Sequence, residues 1–314
     1  MTRFFVRTAV AGIGLVMGLP AVAAAAVTFT PGNYYATKHD STEIRQYNAA
    51  GAVIGSANAP GETRGIAFGD DGLLYVTILP NAPGTGFTVR ALNASMGTVH
   101  TFSNPTQYMH GNITYGRLAL DANYVYVAGG ESLHRFARSN PSAAPVSIYT
   151  GNQVHDVEVL PNGNLLVAEA YEVREITTAG TVLREINYGF TDVRTVEYDP
   201  GTQQVFVSHF GNTGTTTEMM RFDFTTFALT DESTSMAVDM FVTREGNLLL
   251  SSVNFSTTGP RLFNTNLDSL DTFDGDYREF VTQMVPEPTG LALAALASVA
   301  LLRRNRRGAD GPAL

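Results

Sequence analysis

The chain has 314 residues, 44% of them hydrophobic and 16% charged, with no cysteine and no tryptophan. That balance is globular, and the missing thiols exclude disulfides, thiolate zinc sites, iron–sulfur clusters and cysteine nucleophiles. Setting aside the six arginines and two acids of the terminal segments leaves 14 basic and 27 acidic residues, about −13, a charge that repels phosphate backbones and argues against nucleic-acid binding.

Residues 1–26 read as a signal peptide. Arg3 and Arg7 supply a positive start, Val10 to Leu19 an apolar run, and Pro20 with Ala21 to Ala26 the small residues of a cleavage region. The run is too short to span a bilayer. Cleavage is expected between Ala23 and Ala26, which makes the Sec translocon and signal peptidase the first partners.

Residues 27–282 repeat one unit. Its clearest copy is Val154–Glu169: an alternating strand, the turn Asn162-Gly163 and an apolar strand. A second hairpin follows across Thr178–Gly180. Four strands in about forty residues make one blade of a β-propeller. The unit recurs at Arg64–Val76, Arg117–Val127, Thr195–Val207 and Asp239–Leu250, and as Asn33–Ala36 with Glu43–Tyr47 and Gly51–Ile54. The centres of the second strands fall at Tyr35, Tyr75, Tyr126, Leu166, Phe206 and Leu249. Six copies predict an all-β, six-bladed propeller, seven-bladed if one copy has drifted. The first copy lacks an inner strand, so a strand from one terminus is expected to complete a blade begun by the other. Val27–Phe29 or Arg278–Val281 would supply it.

Residues 283–314 form a third segment. Pro286-Glu287-Pro288 precedes the apolar run Gly290–Leu302, which reads as a helix, and then Arg303, Arg304, Arg306 and Arg307. Prolines keep a helix from growing back into the body, and the arginines hold the far end in the cytoplasm. These three parts, in this order, resemble the PEP-CTERM sorting signal of Gram-negative bacteria. The resemblance implies recognition by an exosortase, removal of the tail, and delivery to the cell surface or the exopolysaccharide matrix after transient anchoring in the inner membrane. Gly308–Leu314 extends past the arginines, where such tails usually stop. A permanent tail anchor is the other reading.

The repeat grammar also resembles NHL-type and gluconolactonase-like propellers, at the level of architecture. Aligning the copies places Arg64, Arg117, His155, Asp156, Arg194 and Asp239 at one mouth of the central channel, with Glu169, His209 and Asn254 on nearby loops. The plain expectation is a polar, water-filled mouth with internal salt bridges. Gluconolactonase-like propellers hold an axial metal on Glu, Asn and Asp, so Asp156, Asp239 and Glu169 are the candidate ligands for calcium or another divalent cation; no cofactor is otherwise expected. His155 and Asp156 are strand neighbours that point to opposite faces, which disfavours an acid–base pair and predicts a solvated histidine. No Gly-x-Ser-x-Gly elbow, Gly-x-Gly-x-x-Gly run or Walker pattern occurs. Lys38, the single lysine, would have to serve any Schiff base alone. The expected function is a non-enzymatic, exported surface or matrix propeller with exopolysaccharide or surface-protein partners. A metal-dependent lactonase or esterase is the alternative.

Overall fold

The computed structural model describes residues 26–38, 41–79, 86–104, 116–210, 217–233, 239–243, 246–251, 260–272 and 279–282. Among these the secondary structure is all β. The signal-peptide region before Ala26, Asn254, the Pro-Glu-Pro motif, the apolar run and the arginine cluster lie outside the described residues. No described helix is long and apolar enough to cross a membrane.

Five hydrogen-bonded sheets form the ring. The first contains β1 (Tyr34–Thr37), β2 (Glu43–Tyr47) and β3 (Val53–Asn58). The second contains β4 (Thr63–Phe68), β5 (Leu74–Ile78), β6 (Phe87–Leu92) and β7 (Thr98–Asn104). The third contains β8 (Leu118–Leu120), β9 (Tyr124–Ala137), β10 (Val146–Val159), β11 (Leu165–Glu169), β12 (Val173–Ile176) and β13 (Val182–Ile186). The fourth contains β14 (Val193–Asp199), β15 (Gln204–Phe210), β16 (Thr217–Asp223) and β17 (Leu229–Ser233). The fifth contains β18 (Met240–Val242), β19 (Leu248–Leu250), β20 (Arg261–Phe263) and β21 (Ser269–Thr272). A last strand, β22 (Glu279–Thr282), returns to the first sheet. Neighbours in every sheet are antiparallel.

The expected count of six or seven blades is therefore corrected to five sheets, four with four strands and one with six. Periodicity counts copies of a hairpin; it does not reveal whether two copies share a ladder. Here the copies at Arg117–Val127 and Val154–Glu169 do. Straight, the fourteen residues of β9 would reach about 46 Å. Instead the Arg138 N–H donates to the Asn123 carbonyl at 2.9 Å, so β9 doubles back at Gly130, where φ is +66°. Then β10 bridges the halves, because Val154 pairs with both Gly130 and Glu169.

Closure follows the expectation. Strand β22 pairs antiparallel with β1, opposing Tyr35 to Val281 and Ala36 to Phe280, and becomes the inner strand that the first copy lacks. The other candidate, Val27–Phe29, clamps the same sheet differently. Val27 is buried, and Thr28 exchanges two hydrogen bonds with the Gln46 amide at 2.9 and 2.7 Å.

Apolar residues of adjacent copies bury against one another. Tyr35, Ile66 and Val76 pack between the first two sheets, Phe190, Val196 and Phe222 between the third and fourth, and Tyr34, Tyr47 and Leu249 where the fifth meets the first. On the rim, arginines reach from one copy to the next: Arg135 donates to the Thr178 carbonyl, Arg184 to that of Thr225 and Arg221 to that of Thr265.

Candidate functional site

The second-strand centres set a common register for the inner strands. Tyr75 opposes Ala67, Tyr126 opposes Ala119, Leu166 opposes Glu158, Phe206 opposes Glu197, and Leu249 opposes Phe241. These inner residues form one axial layer. Side chains two apart share a strand face, so Gly65, Arg117, Asp156, Thr195 and Asp239 form the layer above it.

The upper layer is a hydrogen-bonded knot. Arg117 Nη1 bonds Asp156 Oδ2 at 3.1 Å and Asp239 Oδ1 at 2.6 Å. The inner strands contact one another in the cyclic order β22, β4, β8, β10, β14, β18. Arg117, just before β8, and Asp239, just before β18, therefore lie on opposite sides of the axis, and the guanidinium crosses it. Asp156 also accepts from the Thr195 hydroxyl at 2.7 Å and the Val196 N–H at 3.0 Å on Oδ2, and from the Val157 N–H at 2.8 Å on Oδ1. The Ser251 hydroxyl accepts from the Asp239 N–H at 2.8 Å. At Gly65 a Cβ would stand 2.3 Å from the Gly116 carbonyl oxygen, so β4 and the start of β8 meet backbone to backbone.

The other predicted mouth residues sit to the side. The β10–β11 and β14–β15 ladders slip between Val154 and Asp156 and between Val193 and Thr195. Such bulges re-aim the extra residue, here His155 and Arg194. His155 is fully buried rather than solvated, which corrects that expectation. Its Nδ1 contacts the Val193 carbonyl and lies 3.7 Å from Asp192. Burial, helped by Arg194 and Arg117, lowers its pKa to about 4 against the Val193 bond, so it is neutral at neutral pH. Arg194 pairs with Asp192 and Arg64 with Glu62, each acid two residues before its arginine. His155 and Asp156 serve different partners, the Val193 carbonyl and Arg117.

Glu169 does not join Asp156 and Asp239. Its Oε1 accepts from the Tyr149 hydroxyl at 2.5 Å and lies 3.4 Å from Arg174, and its Oε2 accepts from the Asn152 N–H at 2.7 Å. His209 lies against the Phe190 ring. Among the described residues no three His, Asp or Glu side chains form a group able to hold a metal ion. Of the three candidate ligands, Asp156 and Asp239 share Arg117, and Glu169 is held by Tyr149 and the Asn152 N–H.

Sequence reasoning missed the lower layer. Burial and the Asp156 charge push the Glu158 carboxyl up to about 8. Burial and the charges of Glu158, Asp156 and Asp239 raise Glu197 well above the carboxylate range, with Arg117 opposing. The signal was present: Glu158 and Glu197 lie two residues after Asp156 and Thr195. Because the folded pKa lies above the unfolded one, the folded state holds the extra proton, and stability falls as pH rises from about 4.5 through about 8. Both side chains keep partial access to water, which screens the effect. Unfolding free energies from urea denaturation at pH 5 and pH 9 should differ by about 2 kcal/mol in favour of pH 5, and Glu158→Gln should flatten that difference. An unchanged slope in the variant would place the proton elsewhere.

No family model matches the sequence, and no curated protein matches it. Solved structures do share the fold. A protein of unknown function from Bacteroides caccae aligns over 80% of this chain and 98% of its own, at 12% identity and a TM-score of 0.60. A candidate 6-phosphogluconolactonase from Bacteroides fragilis aligns over 79% and 96%, at 10% identity and 0.53. Another from Bacteroides uniformis aligns over 78% and 96%, at 11% identity and 0.51. At these identities the likeness is one of β-propeller architecture.

Proposed function

We propose that this chain is an exported, non-enzymatic β-propeller that serves at the cell surface or in the exopolysaccharide matrix. The observation that carries the non-enzymatic reading is the axial knot. Its carboxylates are engaged with Arg117, Thr195 and backbone N–H groups, so they are not presented to a substrate. Export follows from the terminal segments: the Sec translocon and signal peptidase act at residues 1–26, and an exosortase at Pro286-Glu287-Pro288. Exopolysaccharide or surface proteins are the lasting partners.

Intact-mass measurement of secreted material tests the sorting. The expected mass begins between Ala24 and Val27 and lacks the arginine cluster. A mature chain retaining residues 290–302 would replace this reading with a permanent anchor.

The second reading is a lactonase or esterase. Two observations favour it: the structural likeness to candidate 6-phosphogluconolactonases and the carboxyl of Glu158, which burial and the Asp156 charge push up to about 8, so that it can donate a proton at neutral pH, beside the raised carboxyl of Glu197. Metal content and turnover of 6-phosphogluconolactone and simple esters separate the two. We expect no stoichiometric divalent metal and no turnover. Metal that is lost in Asp156→Asn and Asp239→Asn, or turnover lost in Glu158→Gln, would overturn the binding reading.

A further inference from the structure

Three rim arginines make the same kind of joint, but their surroundings differ. Arg135 stacks over Tyr124 at 4.4 Å, and Arg184 over Phe227 at 3.9 Å and Phe224 at 4.5 Å. At those joints an aromatic ring fills the space beside the guanidinium. The joint made by Arg221 has hydroxyls and amides there instead. It borders a pocket of about 360 Å³ lined by Thr202, Gln204, Arg221, Thr230, Thr265 and Asn266. Four lie on the fourth sheet or its turns, and two on the β20–β21 turn of the fifth.

We propose that this pocket binds a neutral sugar unit. The lining dictates the class. Every lining side chain carries a hydrogen-bonding group beside its carbon surface, the mixture that a sugar ring also presents. Arg221 already faces Asp231 at 3.3 Å and donates to the Thr265 carbonyl, so its charge is balanced and an anion gains little there. The lining offers three hydroxyls and two amides, groups that both donate and accept and so match vicinal hydroxyl groups; some of them already bond to neighbours, Thr202 to Asp199 at 2.6 Å and Asn266 Oδ1 to Arg221 at 3.4 Å, and a sugar would share or exchange those bonds. The array is pre-set. Arg221 Nε donates to the Thr230 hydroxyl at 3.2 Å, and that hydroxyl bonds Gln204 Oε1 at 3.1 Å, so little side-chain freedom is lost on binding. The volume lies at the small end of ligand pockets and suits one or two sugar rings.

The inference rests on the binding reading above, but its test is independent of export and of the axial site. Cellobiose, maltose and lactose are titrated into the folded chain and followed by calorimetry and saturation-transfer NMR, with glucuronate and inorganic phosphate as anionic probes. The expected result is saturable binding of at least one neutral disaccharide with Kd about 1 mM. Gln204→Ala and Asn266→Ala, both on the rim, should each weaken it about tenfold with an unchanged melting temperature. The proposal is overturned if no neutral disaccharide binds saturably, if binding survives both substitutions, or if an anionic probe binds more tightly. A failure here leaves the metal and turnover results standing, so the two readings fail separately.

Discussion

Arg117→Met is expected to lower the stability of the ring by about 3–5 kcal/mol, the usual consequence of removing one partner from a buried ion pair. The side chain of Arg117 is 5% exposed, and those of Asp156 and Asp239 are 10% and 11% exposed. Methionine fills much of the volume but leaves two buried carboxylates without their shared cation. Asp156 keeps Thr195 and two backbone donors; Asp239 loses its 2.6 Å partner. The triple variant Arg117→Met, Asp156→Asn, Asp239→Asn should recover most of it, since buried charges removed together cost far less than one removed alone. Urea denaturation of the single and triple variants measures both terms. A single variant as stable as the parent would mean that the knot does not hold the axis.

A chain ending at residue 278 should fail to close. It lacks β22, so β1 loses its partner from Tyr34 to Thr37 and the first sheet loses its inner strand. At about 1 kcal/mol per net hydrogen bond, four paired residues represent about 4 kcal/mol. The opened edge also uncovers Tyr34, Tyr35 and Ala36, all buried in the closed ring. An unpaired edge beside apolar surface invites pairing with another chain. Loss of a single cooperative transition, or self-association on gel filtration, is therefore expected. A chain ending at residue 284 keeps β22 and should unfold like the parent. Equal stability of the two truncations would show that β22 is dispensable.

Much of this fold was legible because hairpin chemistry is local. Asn162-Gly163 and Asp71-Gly72 mark their turns, and the glycines adopt φ of +83° and +76°. The missing inner strand of the first copy pointed to closure by a terminus. The merged third sheet was not legible, since it depends on Gly130 reversing β9 while β10 runs on through Gly151-Asn152-Gln153. The bulges at His155 and Arg194 were equally hidden. They shift the axial register by one residue, so a list of strand starts mixes the residues that meet on the axis with those that pair beside it. Arg117, Asp156 and Asp239 belong to the first group, and Arg64, His155 and Arg194 to the second. The Glu158 and Glu197 layer needed only the two-residue period, applied one step further.

The rim arginines carry a consequence for which substitutions the turns tolerate. Arg135, Arg184 and Arg221 each grip the next copy at a backbone carbonyl, and a carbonyl is present whatever residue occupies the turn. Thr178, Thr225 and Thr265 can therefore be replaced by other residues without removing the acceptor that each arginine uses.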